Sequence, residues 1–166
     1  TRNDFISRLC EKLSGNTLCL YQLVEKHGVI LYDLMKDFNR KVFFIHGGTD
    51  TETREDIRAI TEKETNAIIV ASYGTFSTGI NIRNLHNIIF ASPSKSQVKV
   101  LQSIGRGLRK SDNNATTKLY DIADDLHTKG HKNFTLKHSA ERIKIYTKEG
   151  FKYKIYPINL KGKKDE

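Results

Sequence analysis

Tryptophan is absent from this chain, proline occurs twice, methionine once, and cysteine only at Cys10 and Cys19. Two cysteines cannot frame a disulfide-stapled fold, and neither has a His or Cys neighbour at metal-ligand spacing, so both read as reduced core or helix residues and no metal site is expected. No apolar run approaches the roughly eighteen residues a membrane helix needs, and no signal peptide is expected. Internal repeats and low-complexity linkers are also missing. A length of 166 residues therefore suits one intracellular domain, residues 1–160, with 161–166 as a frayed charged tail.

Two further absences concern chemistry. No Gly-x-x-x-x-Gly-Lys-Ser/Thr phosphate loop occurs, and no strand ends in Asp-Glu to hold Mg²⁺. Asp121, Asp124 and Asp125 follow an apolar run, where a helix cap or a solvated loop suits them better than a metal site. A nucleophile–base pair is missing too, because His86, His127, His131 and His138 have no Ser, Cys or acidic companion at a defined spacing.

What is present is a lopsided charge. Residues 1–89 carry eleven basic and eleven acidic side chains, whereas residues 90–166 carry seventeen and eight, so the whole net charge of +9 lies in the second half. A one-sided basic field favours a polyanionic partner, nucleic acid first.

Short runs rich in Val, Ile, Leu and Phe recur at Thr17 to Tyr21, Lys41 to Ile45, Ala67 to Ala71, Asn87 to Ala91 and Thr117 to Ile122. Helical periodicity fills the intervals, at Asp4 to Leu13, Val24 to Phe38 and Asp50 to Lys63, with a further helix from about Asn133 to Thr147. Continuous apolar strands alternating with helices indicate an α/β fold, a parallel sheet covered on both faces. Thr49-Asp50-Thr51-Glu52 fits a capping box for the third helix. Gly150 marks a turn, and Phe151 to Tyr156 alternates like an edge strand packing its rings, with single-strand stacking by Tyr153 among the lysines as the other reading.

In open α/β sheets ligands bind beyond the carboxyl ends of the strands. Three loops there, His46-Gly47-Gly48-Thr49, Ser72 to Asn81 and Ser92 to Ser96, carry glycines and hydroxyls that let a backbone approach phosphate. Downstream, residues 95 to 109 placed on a helix put Lys95, Lys99, Gln102, Arg106 and Arg109 on one stripe and Leu101, Ile104 and Leu108 on another face. Guanidinium forks suit phosphate oxygens, while a solvated helix end would suit the same residues.

His46-Gly47 with Arg54 eight residues after His46, then Gly79-Ile80-Asn81, then Gln102-x-x-Gly105-Arg106-x-x-Arg109, each after a strand, resembles the motif succession of the second RecA-like domain of superfamily-two helicases and translocases. The likeness spans roughly residues 17 to 122, and the helix and strand that follow are typical of branch-remodelling and repair helicases, phage helicases among them. It implies a three-layer RecA-like domain with a mainly parallel sheet of about six strands. Arg106 and Arg109 would act on the γ-phosphate of ATP, Gln102 would orient the water or a phosphate oxygen, and Gly79, Asn81 and Gly105 would lie by the nucleotide. His46, Arg54, Lys95 and Lys99 would face a nucleic-acid backbone, with the hydroxyl that joins them left open among Ser72, Thr75 and Thr78. This sequence has Asn81 where the family often has Asp, and Thr51 where Gln is usual before Arg54.

ATP and Mg²⁺ would then sit at an interface with an N-terminal RecA-like lobe that this chain lacks, so the chain alone is expected neither to bind them nor to hydrolyse ATP. The expected activity is that of the C-terminal lobe of an ATP-dependent DNA helicase acting in recombination and repair, on single-stranded or branched DNA or an RNA–DNA hybrid. The expected compartment, by the phage likeness, is the cytoplasm of a bacterial host. A non-catalytic basic module that binds nucleic acid is the alternative.

Overall fold

The computed structural model describes residues 2–77, 82–92, 117–126 and 133–160. Five strands follow the apolar runs: β1 (Thr17–Tyr21), β2 (Val42–Ile45), β3 (Ile68–Ser72), β4 (Asn87–Phe90) and β5 (Lys118–Asp121). All pair in parallel in the order β2-β3-β1-β4-β5, with β1 central and in register Thr17 to Ile68 and Thr17 to Asn87. The helices are α1 (Arg2–Lys12), α2 (Val29–Met35), α3 (Thr51–Lys63), the short α4 (Tyr73–Ser77) and α5 (Phe134–Lys148).

Strand alternation sends successive side chains to opposite faces of the sheet. On one face Cys19, Tyr21, Ile68, Val70 and Ile89 pack with Ile6 and Cys10 of α1 and Leu31 and Met35 of α2. On the other, Leu18, Leu20, Ile69, Ile88 and Phe90 pack with Ile57 of α3 and Tyr146 of α5. Both faces are covered, which is why the strands read as continuous apolar runs, and each fully buried Leu or Ile contributes about 1.5–3 kcal/mol. Cys10 and Cys19 are free thiols in this core, and the Cys19 thiol is pushed well up by its hydrogen bond with Cys10 and by burial.

Three expectations change. The segment Val24–Gly28 opens the second helix as a π turn, closed by Gly28 N–H donating to the Leu23 carbonyl at 2.9 Å. Gly28 lies so close to the Tyr21 ring that an added Cβ would stand 2.4 Å from its Cζ, and the wider turn accommodates that approach. The cap of α3 is Asp50 rather than Thr49, because Asp50 accepts from Thr53 N–H at 2.8 Å while Thr49 Oγ1 accepts from His46 N–H at 3.1 Å.

The third change is the sixth strand: Phe151 to Tyr156 joins no ladder, leaving five strands among the described residues. Gly150, at φ +74°, closes α5 in a Schellman turn in which Phe151 N–H donates to Tyr146 O and Gly150 N–H to Thr147 O. That turn sends Phe151 back onto the core beside Tyr146, while Tyr153, Ile155 and Tyr156 stay exposed.

Candidate nucleic-acid and nucleotide interface

Parallel pairing brings the ends of all five strands to one rim, and the described candidate residues lie along it. At the end of β2 the turn His46 to Thr49 is tied twice, by Thr49 N–H to His46 O at 3.0 Å and by Gly48 N–H to His46 Nδ1 at 3.1 Å. With Nδ1 accepting, a neutral His46 carries its proton on Nε2, and its ring tilts against Phe44 with centroids 5.3 Å apart. Arg54, in the first turn of α3, folds back so that Nη2 donates to Gly47 O at 3.0 Å. Among the described residues its Nε is buried and has no hydrogen-bond partner. The structure thus unites His46, Gly47 and Arg54 as one half-exposed basic loop. The Asp50 carboxyl beneath it is held below the usual carboxylate range by its bonds from the Thr53 backbone and hydroxyl.

At the end of β3, Ser72 and Thr75 are brought together with each other. Their hydroxyls lie 2.7 Å apart, Thr75 N–H donates to Ser72 Oγ at 3.2 Å, and both residues are buried. This is a Ser cap on the short α4. Thr78, Gly79, Asn81, Lys95, Lys99, Gln102, Gly105, Arg106 and Arg109 lie outside the described residues, as do His127 and His131.

Beyond β4 stands a cluster that spacing did not reveal. Ser92 Oγ accepts from Gln22 N–H at 3.2 Å and meets His27 Nδ1 at 2.7 Å, while the Ser92 carbonyl accepts from the Tyr73 hydroxyl at 3.0 Å. Burial, and then the nearby Arg2 charge, lower the pKa of His27, with Asp124 working against them. Arg2 Nε in turn donates to Asp124 at 2.7 Å. His27 carried no sequence signal, since its partner lies 65 residues away and no motif links them.

The aspartates after β5 divide. Asp125 accepts from the cap residue Asn133 of α5 at 2.7 Å, and Asp124 O accepts from Thr135 Oγ1 at 2.6 Å, so these two serve the helix start. Asp121 is no solvated residue: Arg142 Nε and Nη2 donate to its carboxylate at 2.6 and 2.8 Å, and Tyr146 donates its hydroxyl at 2.7 Å. His86 is structural, its Nδ1 accepting from Asn16 N–H at 2.9 Å. Among the described residues no group of three or more His, Cys, Asp or Glu side chains could hold a metal ion. Nor is any described helix long and apolar enough to cross a membrane.

Residues 2–111 match the family model described as the helicase conserved C-terminal domain. The chain is 38% identical over 172 residues to the ATP-dependent DNA helicase uvsW of Enterobacteria phage T4, covering 96% of this chain and 34% of that protein. The crystal structure of T4 UvsW superposes with TM-score 0.73 at 39% identity over 90% of this chain and 33% of that one. The C-terminal domain of the DEAD-box protein Dbp5 superposes with TM-score 0.66 at 14% identity over 89% of this chain and 79% of that domain, a likeness of fold. The chain spans about a third of the length of UvsW. With its parallel sheet and its motif order, this chain belongs to the helicase conserved C-terminal domain family of superfamily two, as a UvsW-like RecA-type lobe.

Proposed function

We propose that the chain is the second motor lobe of an ATP-dependent DNA helicase that remodels branched DNA in recombination and repair, in the cytoplasm of a bacterial host. The observation that carries this reading is the single rim. The His46–Arg54 loop, the Ser72–Thr75 turn and Ser92 all stand at carboxyl ends of parallel strands, and in the sequence Gly79 to Asn81 follows the second of these and Gln102 to Arg109 comes further on after the third.

In this reading His46 Nε2–H, Arg54 and the Gly47 backbone receive the phosphates of a single strand, with Lys95 and Lys99 beside them and the partnering hydroxyl drawn from Ser72, Thr75 and Thr78. Such contacts carry no sequence information, which suits a motor that steps along any sequence. Gly79, Asn81 and Gly105 border the nucleotide, Gln102 orients the water or a phosphate oxygen, and Arg106 and Arg109 bring positive charge to the γ-phosphate. ATP and Mg²⁺ are held mainly by an N-terminal RecA-like lobe, because this chain offers neither a lysine cradle nor a metal-binding carboxylate pair in its sequence. Alone it is inactive.

The test is Arg106→Ala in the full-length protein. DNA-stimulated ATP hydrolysis is expected to fall by about 10³-fold, the scale of an arginine finger, with ATP binding retained. Turnover close to wild type would remove the finger assignment.

A further inference from the structure

After the turn at Gly150 the chain runs on without burying a side chain. Phe151 is the last residue held, its N–H donating to Tyr146 O at 2.9 Å and its ring packed against the core. Residues 152–160 are exposed throughout, and among them stand Tyr153 at 48%, Ile155 at 71%, Tyr156 at 72%, Ile158 and Leu160. Single apolar residues on a surface are ordinary, whereas five large ones between positions 153 and 160 point to an interaction site.

Pro157 keeps this arm from extending the sheet. It has no backbone donor to offer a ladder, and it confines Tyr156 before it to extended backbone. The arm therefore meets a ligand with part of its conformational freedom already removed, which lowers the cost of ordering it.

Charge decides between two kinds of partner. From Gly150 to Leu160 the only charged side chains are Lys152 and Lys154, on either side of Tyr153, and none is acidic. Protein interfaces are depleted of lysine, while lysines alternating with aromatic rings suit a row of phosphates whose bases offer flat faces. The root of the arm also lies by the rim. Tyr146, which accepts from Phe151 N–H, donates its hydroxyl to Asp121 at the carboxyl end of β5. One residue thus links the arm to the edge along which His46, Ser72 and Ser92 stand.

We propose that residues 152–160 form an arm that binds single-stranded nucleic acid, with Tyr153 and Tyr156 stacking on bases and Lys152 and Lys154 meeting the flanking phosphates. This rests on the motor-lobe reading and adds to it a contact outside the strand-end loops. Rings stack on any base, so the arm recognises unpaired bases rather than a sequence.

The test uses the full-length protein and two single-stranded oligonucleotides of equal length, one all thymine and one abasic. Affinity is measured over a range of salt, alongside melting temperature and oligonucleotide-stimulated ATP hydrolysis. Tyr153→Ala combined with Tyr156→Ala is expected to weaken thymine binding roughly tenfold and to leave abasic binding within about twofold of wild type. Lys152→Gln combined with Lys154→Gln is expected to weaken both and to lower the slope of log affinity against log salt by about 1.4, from about 0.7 for each phosphate contact. Neither pair should move the melting temperature, because all four side chains are exposed. Wild-type affinity in both variants overturns the proposal. So does a tyrosine variant that melts early yet binds normally, which marks an arm covered by another part of the protein. A wild-type protein whose hydrolysis ignores the thymine oligonucleotide would instead overturn the motor-lobe reading, whereas normal stimulation with unchanged binding in both variants removes the arm alone.

Discussion

Arg142 of α5 lays its guanidinium along the Asp121 carboxylate at the end of β5, with Nε on Oδ2 at 2.6 Å and Nη2 on Oδ1 at 2.8 Å. Arg142 is 2% exposed, and the same carboxylate accepts from Tyr146, whose phenol is pushed upward by burial and by the Asp121 charge. Removing one member of a buried pair strands the other charge away from water. Asp121→Asn is therefore expected to cost about 3 kcal/mol in urea unfolding, and Asp121→Leu combined with Arg142→Met to recover most of that loss. A single variant as stable as wild type would mean that water reaches the pair.

Asn16 fastens the opposite end of the sheet. Fully buried, it donates through Nδ2 to the carbonyls of Thr61, Glu64 and Asn84 and accepts from Ala67 N–H through Oδ1 at 2.8 Å. One side chain thus joins the end of α3, the approach to β3 and the approach to β4. Asn16→Asp keeps the acceptor but turns a carboxylate on three carbonyls, so it is expected to be worse than Asn16→Ala, which should itself cost about 3 kcal/mol through unsatisfied buried groups. Equilibrium unfolding of the two variants orders them.

These two hubs mark the limit of what the sequence displays. The strands were legible because a strand buried on both faces must be continuously apolar, and Ile68 to Ala71 or Ile88 to Phe90 allow few other readings. The rim loops were legible for the same reason: strand ends fix where His46 and Ser72 emerge. The Asp121–Arg142 and His27–Ser92 pairs were not, since they join residues 21 and 65 positions apart and no local period records a long-range bond. The segment Phe151 to Tyr156 misled because alternation describes the residues but not whether an edge stands ready to pair with them. Among the described residues it pairs with neither edge strand, β2 or β5, and Tyr156 stays 72% exposed.

His27 supplies a pH dependence whose sign follows from its surroundings. Burial and then Arg2 hold the folded imidazole below the ordinary 6.5, and Asp124 offsets part of this. As pH falls through about 6.5 the unfolded chain binds the proton first, so stability that is full above this value declines below it, until the folded imidazole is protonated as well. Melting temperature from about pH 7.5 to about pH 5.5 should therefore drop more steeply in wild type than in His27→Gln, whose amide retains a bond to Ser92 without titrating. Parallel curves would remove His27 as the source.

Gly28 and Gly47 separate folding from binding. An added Cβ at Gly28 would collide with the Tyr21 ring, which is fully buried and anchored by its hydroxyl to the Ile45 carbonyl at 3.0 Å. Gly28→Ala is expected to cost about 2 kcal/mol of stability through overpacking. At Gly47 nothing lies within 4 Å of an added Cβ and the backbone is not in the left-handed region, so Gly47→Ala should leave unfolding within about 0.5 kcal/mol of wild type. If the loop backbone receives a phosphate, however, that methyl stands between them. Oligonucleotide affinity of the full-length protein is then expected to weaken roughly fivefold, about 1 kcal/mol, while Arg54 keeps its bond to the Gly47 carbonyl. An unchanged affinity would show that nucleic acid passes the His46–Arg54 loop at a distance, and the contact would have to move to the β3 side of the rim.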